Sequence, residues 1–340
     1  MTGLARAAPP VAEAFRHVDA DRTIVFGPGA LEAAAELVGD GFTLLTTPRA
    51  ARAAPSVADR AGAVVHVPAG LVEEVAAALR EAVRGDRLVA LGGGRVMDVA
   101  KALAAADPPR SVIAIPTTLS AAEMTGVHRH AAGVAADAPR VRPSVIVNDP
   151  ALSASQLPDQ LAASTANAFG HAVVALTSVC GGPIGAAVAR EALRRLVGAW
   201  AGPEPARADL ALGALLAGWA VDHSGLGLHH VLAQTAVRVA GLGHAAANAA
   251  LLPASVAALR TRAPGALETV DGELGGRLED AAVALRRRAG VTGIGRLAGD
   301  EALLERAVDA AAERSELDRL PPRPDREELR AIYRAAADEP

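Results

Sequence analysis

Five short apolar runs punctuate the first 150 positions of the chain: Phe42–Thr46, Val64–Val67, Leu88–Leu91, Val112–Ile115 and Val145–Val147. Most are followed by alanine-rich stretches with helical spacing, at 49–61, 71–84 and 95–106. Strands apolar on both faces and alternating with helices predict a parallel sheet covered on both sides. After Pro150 the strand signal stops, and from about residue 158 helix follows helix. Breaks fall at Gly181–Pro183, Gly202–Pro205, Gly241–Gly243, Gly290–Gly295 and Pro321–Pro324. The pattern predicts an α/β domain over residues 1–155 and an all-α domain over 156–340. Gly126–Arg142 reads as a long, flexible connection within the first of them.

One uncharged run, residues 172–189, invites reading as a membrane span. Gly181, Gly182 and Pro183 divide it into halves, each well short of the ~20 residues a bilayer requires. The runs at 210–221 and 245–259 also fall short, so all three are expected to be buried helices. The N-terminal stretch MTGLARAAPPVAEAF has no apolar core of the kind a secretory signal carries.

Composition sharpens this picture. The chain has 340 residues, more than one hydrophobic core comfortably holds. It is 51% hydrophobic but only 2% aromatic, and alanine makes up about a quarter of the chain, so small side chains must bring helices close together. A net charge of −4 argues against a nucleic-acid binder or a polybasic membrane protein. The single Cys180 excludes an intrachain disulfide and a thiolate metal cluster, and points to a reducing cytoplasm.

The basic residues are unusual. Of the 34, 33 are arginine and one is Lys101. Arginine is a wide planar fork and lysine a compact point charge, so a lone lysine marks a position where the fork does not serve. Lys101 lies in Gly92-Gly93-Gly94-Arg95-Val96-Met97-Asp98-Val99-Ala100-Lys101, directly after the Leu88–Leu91 run and opening a helix. Three glycines let the backbone approach a pyrophosphate, and the helix start presents amide N–H groups and a positive dipole end to it. No Lys-Ser/Thr pair follows at Walker A spacing. After the next strand, Pro116-Thr117-Thr118-Leu119-Ser120-Ala121-Ala122-Glu123-Met124-Thr125 places hydroxyls where open α/β sheets bind ligands. Ser120 and Glu123 also have the spacing of a helix capping box.

Three histidines have suggestive positions in the helical half. His171 follows Asn167 by four residues, so both point from one helix face. His230 is followed four residues later by Gln234, and His244 comes fourteen residues after His230, just past a glycine break. A shared site is expected from these three. His17, His66, His128, His130, His223 and His229 read as surface or packing residues, although His128 and His130 lie on the connection that can reach a ligand.

Together these motifs resemble the iron-containing (type III) alcohol dehydrogenase superfamily, most closely its maleylacetate reductase branch. The resemblance starts at Arg22–Gly29 (RTIVFGPG) and runs through GGGRVMDVAK, PTTLSAAEMTG, Asn148-Asp149-Pro150 and the Asn167–His171 segment. It continues through GLHHVLAQ and GLGHAAANAALLP to Arg323–Pro324. It implies a dehydroquinate synthase-like fold: a parallel-sheet domain binding NADH or NADPH, then a helical domain. By resemblance, Gly92, Gly93, Gly94, Asp98 and Lys101 would hold the dinucleotide, while Thr117, Thr118 and Leu119 would line its phosphate and nicotinamide side. Thr47 falls where many relatives carry an aspartate for the adenosine ribose. Losing that carboxylate removes repulsion against a 2′-phosphate, which admits NADPH as well as NADH.

The family's metal ligands, one Asp and three His, correspond here to Asn167, His171, His230 and His244. A neutral amide binds a divalent cation more weakly than a carboxylate, so three imidazoles would have to hold any Zn or Fe. Without a metal, the same histidines would bind a carboxylate or donate a proton. Two further departures stand out: Arg95 replaces the family's usual Ser and would clamp or crowd the pyrophosphate, and Gln234 replaces a His close to the nicotinamide.

The expected activity is NAD(P)H-dependent reduction of a small unsaturated oxo-acid, maleylacetate to 3-oxoadipate. His171, His230 or His244 would orient carboxylates and help protonation. The alternative is a diverged non-redox member, a lyase, dehydratase or cyclase, which Arg95, Asn167 and Gln234 would favour. A dehydroquinate-synthase-like or glycerol-1-phosphate-dehydrogenase-like relative shares the architecture but not the C-terminal motifs. The expected partners are a small carboxylate substrate and a second copy of the chain in a homodimer, with no nucleic acid and no membrane.

Overall fold

The computed structural model describes residues 14–337. The N-terminal stretch examined for a signal lies, up to residue 13, outside them. The described chain divides into two compact units, one ending at Gln156 and the other beginning at Leu157.

The first unit is built on one seven-stranded sheet. Its strands are β1 (Phe15–Asp19), β2 (Arg22–Phe26), β3 (Thr43–Thr46), β4 (Ala63–His66), β5 (Arg87–Gly92), β6 (Ser111–Pro116) and β7 (Val145–Asn148). Their order is β1-β2-β7-β6-β5-β3-β4, with β1 antiparallel to β2 and every other pair parallel. The central strands alternate between two buried layers. Leu88, Ala90, Val112 and Ala114 join one apolar cluster, while Val89, Leu91, Ile113 and Ile115 join the other. Burial on both faces is why these strands read as unbroken apolar runs.

Four details depart from the expectation. Strands β1 and β2 were not expected: β1 is largely exposed, and β2 carries a buried apolar run, Ile24–Phe26, as short as that of β7. The stretch 49–61 is two short helices, Pro48–Ala53 and Pro55–Ala58, because Pro55 cannot continue the first and starts the second. Ser120 and Glu123 form no capping box, since no helix starts there; the Ser120 hydroxyl instead accepts from the Ala122 N–H at 3.3 Å, and Ala121 adopts a left-handed φ of 61°. The stretch Gly126–Arg142 has no regular element, yet it is tied down. Ala132 N–H bonds the Glu73 carbonyl at 2.9 Å, and His128 Nε2 accepts from Val141 N–H at 3.1 Å.

The second unit is helical. Its centre is the helix Pro158–Thr177, buried around most of its circumference and packed against Gly182–Gly198, Arg207–Ser224 and His244–Arg262. Small residues permit the close approach: a Cβ at Gly213 would lie 2.9 Å from Leu196 Cγ. The uncharged run 172–189 is split between two of these helices, and among the described residues no helix is long and apolar enough to cross a membrane.

Candidate functional site

In the sheet unit, β5 ends at Gly92 and the helix Gly94–Ala106 begins two residues later. No side chain caps that helix, which leaves its first amides for an anion. The turn has no room for a side chain at Gly92 and little at Gly93 and Gly94. A Cβ at Gly92 would lie 2.6 Å from Val96 Cγ2, one at Gly93 3.1 Å from Thr118 Cγ2, and one at Gly94 3.0 Å from Ser120 Cβ. The Thr117 N–H bonds the Gly92 carbonyl at 2.8 Å, which straps the β6 end across the turn. Leu119 itself is buried.

Beside the turn lies a cavity of about 270 Å³ lined by Thr47, Val67, Gly93, Gly94, Arg95 and Val96. Arg95 is exposed there, and the Thr47 hydroxyl accepts the Ala50 N–H at 3.2 Å as a helix cap. The lining contains one guanidinium and no carboxylate. A tight glycine cradle, uncapped amides and a cation suit the phosphates of a dinucleotide, so these residues fit NADH or NADPH.

Lys101 does not join them, which corrects its expected place in the cradle. It is completely buried, and its Nζ donates to the carbonyls of Ala122 (2.9 Å), Thr125 (3.1 Å) and Val127 (2.8 Å) while pairing with Asp98 Oδ1 at 2.9 Å. Asp98 is thereby committed to Lys101. Only a compact ammonium can be surrounded by acceptors in this way, which accounts for the one lysine in an arginine-rich chain. Glu123 lies on the same loop, its Oε2 buried and without a hydrogen-bond partner among the described residues. Burial pushes its carboxyl up to about 7 against the opposing pull of Lys101.

In the helical unit, the His171 and His230 rings stack at 3.9 Å with 11° between planes, one turn from Asn167 on the Pro158–Thr177 helix. Asn167, His171 and His230 are all buried. Both ring nitrogens of His230 lack a well-formed hydrogen bond among the described residues. Burial, then repulsion from His171, His229 and His244, holds its pKa well below the usual histidine value. His244 is exposed at the start of the helix His244–Arg262, close enough for its charge to act on His230. Gln234 accepts from Arg314 at 3.1 Å.

His229, expected to be a surface or packing residue, is buried in a polar network. Its Nδ1 meets Ser255 Oγ at 3.1 Å and its Nε2 meets Asn248 Oδ1 at 3.1 Å; Asn248 Nδ2 in turn reaches His244 Nε2 at 3.3 Å. Burial lowers the His229 pKa to about 4. The signal for Asn248 was present in the sequence, four residues after His244 on one helix face. His128 is also buried and engaged, and desolvation takes its pKa to about 4 as well. His223 stacks on Trp219 at the surface.

These residues do not fit a divalent metal as arranged. Imidazole lone pairs lie in the ring plane, so two stacked parallel rings do not direct them to one point. His244 Nε2 faces Asn248, and the fourth position is a neutral amide. Among the described residues no group of three or more His, Cys, Asp or Glu is placed to hold an ion.

Comparison with known proteins gives a consistent result. The profile of iron-containing alcohol dehydrogenase matches residues 21–150, and that of the Fe-containing alcohol dehydrogenase family C-terminal region matches residues 161–337. A maleylacetate reductase of Sphingobium indicum is 33% identical over 275 residues, 74% of this chain and 77% of that protein. One from a Rhizobium species is 31% identical over 286 residues, 77% of this chain and 81% of that protein. The crystal structure of maleylacetate reductase from Agrobacterium tumefaciens superposes with a TM-score of 0.77 at 27% identity, covering 96% of this chain and 99% of the other.

Proposed function

The chain belongs to the iron-containing alcohol dehydrogenase family and is an oxidoreductase; on that premise we propose that it is an NAD(P)H-dependent reductase of a small unsaturated oxo-acid of the maleylacetate class, yielding 3-oxoadipate. The observation that carries this reading is the chemistry of the histidine cluster. Asn167, His171, His230, Gln234 and His244 are imidazoles and amides, with no acid among them. A substrate bearing two carboxylates therefore meets donors and no fixed negative charge. The similarity to maleylacetate reductases supports the same substrate class.

In this reading Gly93 and Gly94 admit the dinucleotide phosphates to the helix start, and Arg95 offsets their charge. The nicotinamide, when bound, supplies the hydride. Histidine side chains would orient the substrate's carboxylates and deliver the proton that, with the hydride, saturates its C=C bond. No metal enters these steps. The substrate carboxylates are met by N–H donors, and a cytoplasmic location belongs to the same reading, resting on the lone Cys180.

The test is consumption of NADPH and NADH by the purified protein with maleylacetate as acceptor. Turnover of about 1 s⁻¹ or more is expected. Cofactor binding without oxidation in the presence of maleylacetate would overturn the substrate assignment.

A further inference from the structure

We propose that Asn248 is a positioning residue: it holds His244 with its proton on Nδ1, so that His244 meets the substrate as a hydrogen-bond donor of fixed direction. The inference rests on the reading of the helical unit as the oxo-acid site.

The Asn248 amide has its orientation set at both ends. Asn248 is fully buried. Its Nδ2 lies 2.8 Å from the backbone carbonyl of His244, which can only accept, and its Oδ1 lies 3.1 Å from His229 Nε2. Turning the amide over would set two oxygens against each other at the His244 carbonyl, so the assignment follows from chemistry.

Two consequences follow, one on each side. Oδ1 can only accept, so His229 donates from Nε2 and its Nδ1 faces the Ser255 hydroxyl at 3.1 Å. On the other side, the second Nδ2 hydrogen reaches His244 Nε2 at 3.3 Å. An amide nitrogen has no lone pair to offer, so Nε2 must accept, and in a neutral ring the proton then sits on Nδ1. The chain of donation runs from Ser255 through His229 and Asn248 to His244. Ser255, His229 and Asn248 are buried, whereas His244 is exposed. An amide does not relay protons under these conditions, so the network transmits orientation alone. It acts as a second layer of support that fixes which imidazole nitrogen donates, in the way carboxylates and carbonyls do elsewhere.

The test reads the tautomer directly. Long-range ¹H–¹⁵N NMR of the full chain labelled at histidine nitrogens, with His244 assigned by its missing signals in His244→Gln, is expected to show neutral His244 protonated on Nδ1. Asn248→Ala should release it toward the Nε2–H form. It should also raise the KM for maleylacetate about tenfold, the scale of a lost hydrogen bond to a charged group, with kcat within about twofold and the NADPH Kd unchanged. If Asn248→Ala does not fold, Ser255→Ala tests the same chain by loosening His229 and the amide behind it. Nε2–H His244 in the unmodified protein would overturn the proposal, as would a folded Asn248→Ala variant with tautomer and KM both unchanged. Failure to oxidise NADPH with maleylacetate would instead overturn the reductase reading, and the tautomer measurement does not depend on it.

Discussion

Gly170 lies directly against His229: a Cβ on residue 170 would come within 2.2 Å of His229 Cδ2 and 2.6 Å of its Nε2. The contact joins the Pro158–Thr177 helix to the helix Leu228–Ala240 and seats the imidazole that Asn248 and Ser255 hold. Gly170→Ala must displace the ring or part the helices. The expected cost is about 1–3 kcal/mol, the usual range for overpacking, with broadened or shifted His229 NMR signals. Urea unfolding measures it, and a variant as stable as the parent would contradict the contact.

Lys101 is a structural lysine, and its replacement should be felt in stability first. Lys101→Met leaves three carbonyls, two of them buried, and Asp98 without their cation, at an expected cost of about 3–5 kcal/mol. Lys101→Arg should recover little of this, because a planar fork cannot occupy a point enclosed by four acceptors. Cofactor affinity should fall as a secondary effect, since the loop carries Thr118 and Ser120 against Gly93 and Gly94. Unfolding curves and NADPH titrations on the same variants separate the two.

Glu123 gives a pH dependence with a definite sign. Its folded carboxyl titrates at about 7 against 4.5 for the ordinary group, so between these values the folded chain holds a proton that the unfolded chain has released. Stability from this group is therefore greatest at low pH and declines as pH rises from 4.5 through 7, by on the order of 3 kcal/mol in all. His128 works in the opposite sense: its folded pKa of about 4 lies below the ordinary 6.5, so it favours folding above 6.5 and loses that contribution as pH falls toward 4. Glu123→Gln should flatten the decline and leave the variant more stable than the parent above pH 7. Denaturant midpoints at pH 5, 6, 7 and 8 decide it, and parallel pH curves for both proteins would refute the assignment.

Thr47 and Arg95 share the cavity beside the glycine turn, and the charge at these two positions should govern the dinucleotide accepted. Arg95→Ser is expected to weaken NADPH binding about tenfold, with the difference shrinking at high salt. Thr47→Asp should penalise NADPH over NADH by placing a carboxylate against the 2′-phosphate. Fluorescence titration of both cofactors checks each expectation, and equal losses for NADH and NADPH in Thr47→Asp would place the adenosine ribose elsewhere.

What the sequence disclosed followed from burial and spacing. β5, β6 and β7 were legible because both of their faces are covered, whereas β1 (FRHVD) is exposed at the sheet edge and lacks that signature. The glycine turn could be read because three successive glycines after a strand have few other uses. The destination of Lys101 could not, since helical spacing gives no account of which loop will fold over a side chain. His229 and His230 are neighbours in sequence, yet a rotation of about 100° along the helix sends one to Asn248 and the other to His171. Only the packing of Gly170 distinguishes them.

The two hydrogen bonds of His128 carry a consequence for the segment they enclose. Its Nδ1 donates to the Arg129 carbonyl at 3.0 Å and its Nε2 receives the Val141 N–H, so a single imidazole fastens the two ends of the excursion between them. The base of that excursion is fixed further by Lys101 on the Val127 carbonyl. Its outer part, Gly133 to Asp137, is exposed or half-exposed. Because loop-closure entropy grows only slowly with length, foreign sequence inserted there lengthens a loop whose ends are already fastened. The excursion is thus a natural grafting point for an epitope, a tag or a reporter domain.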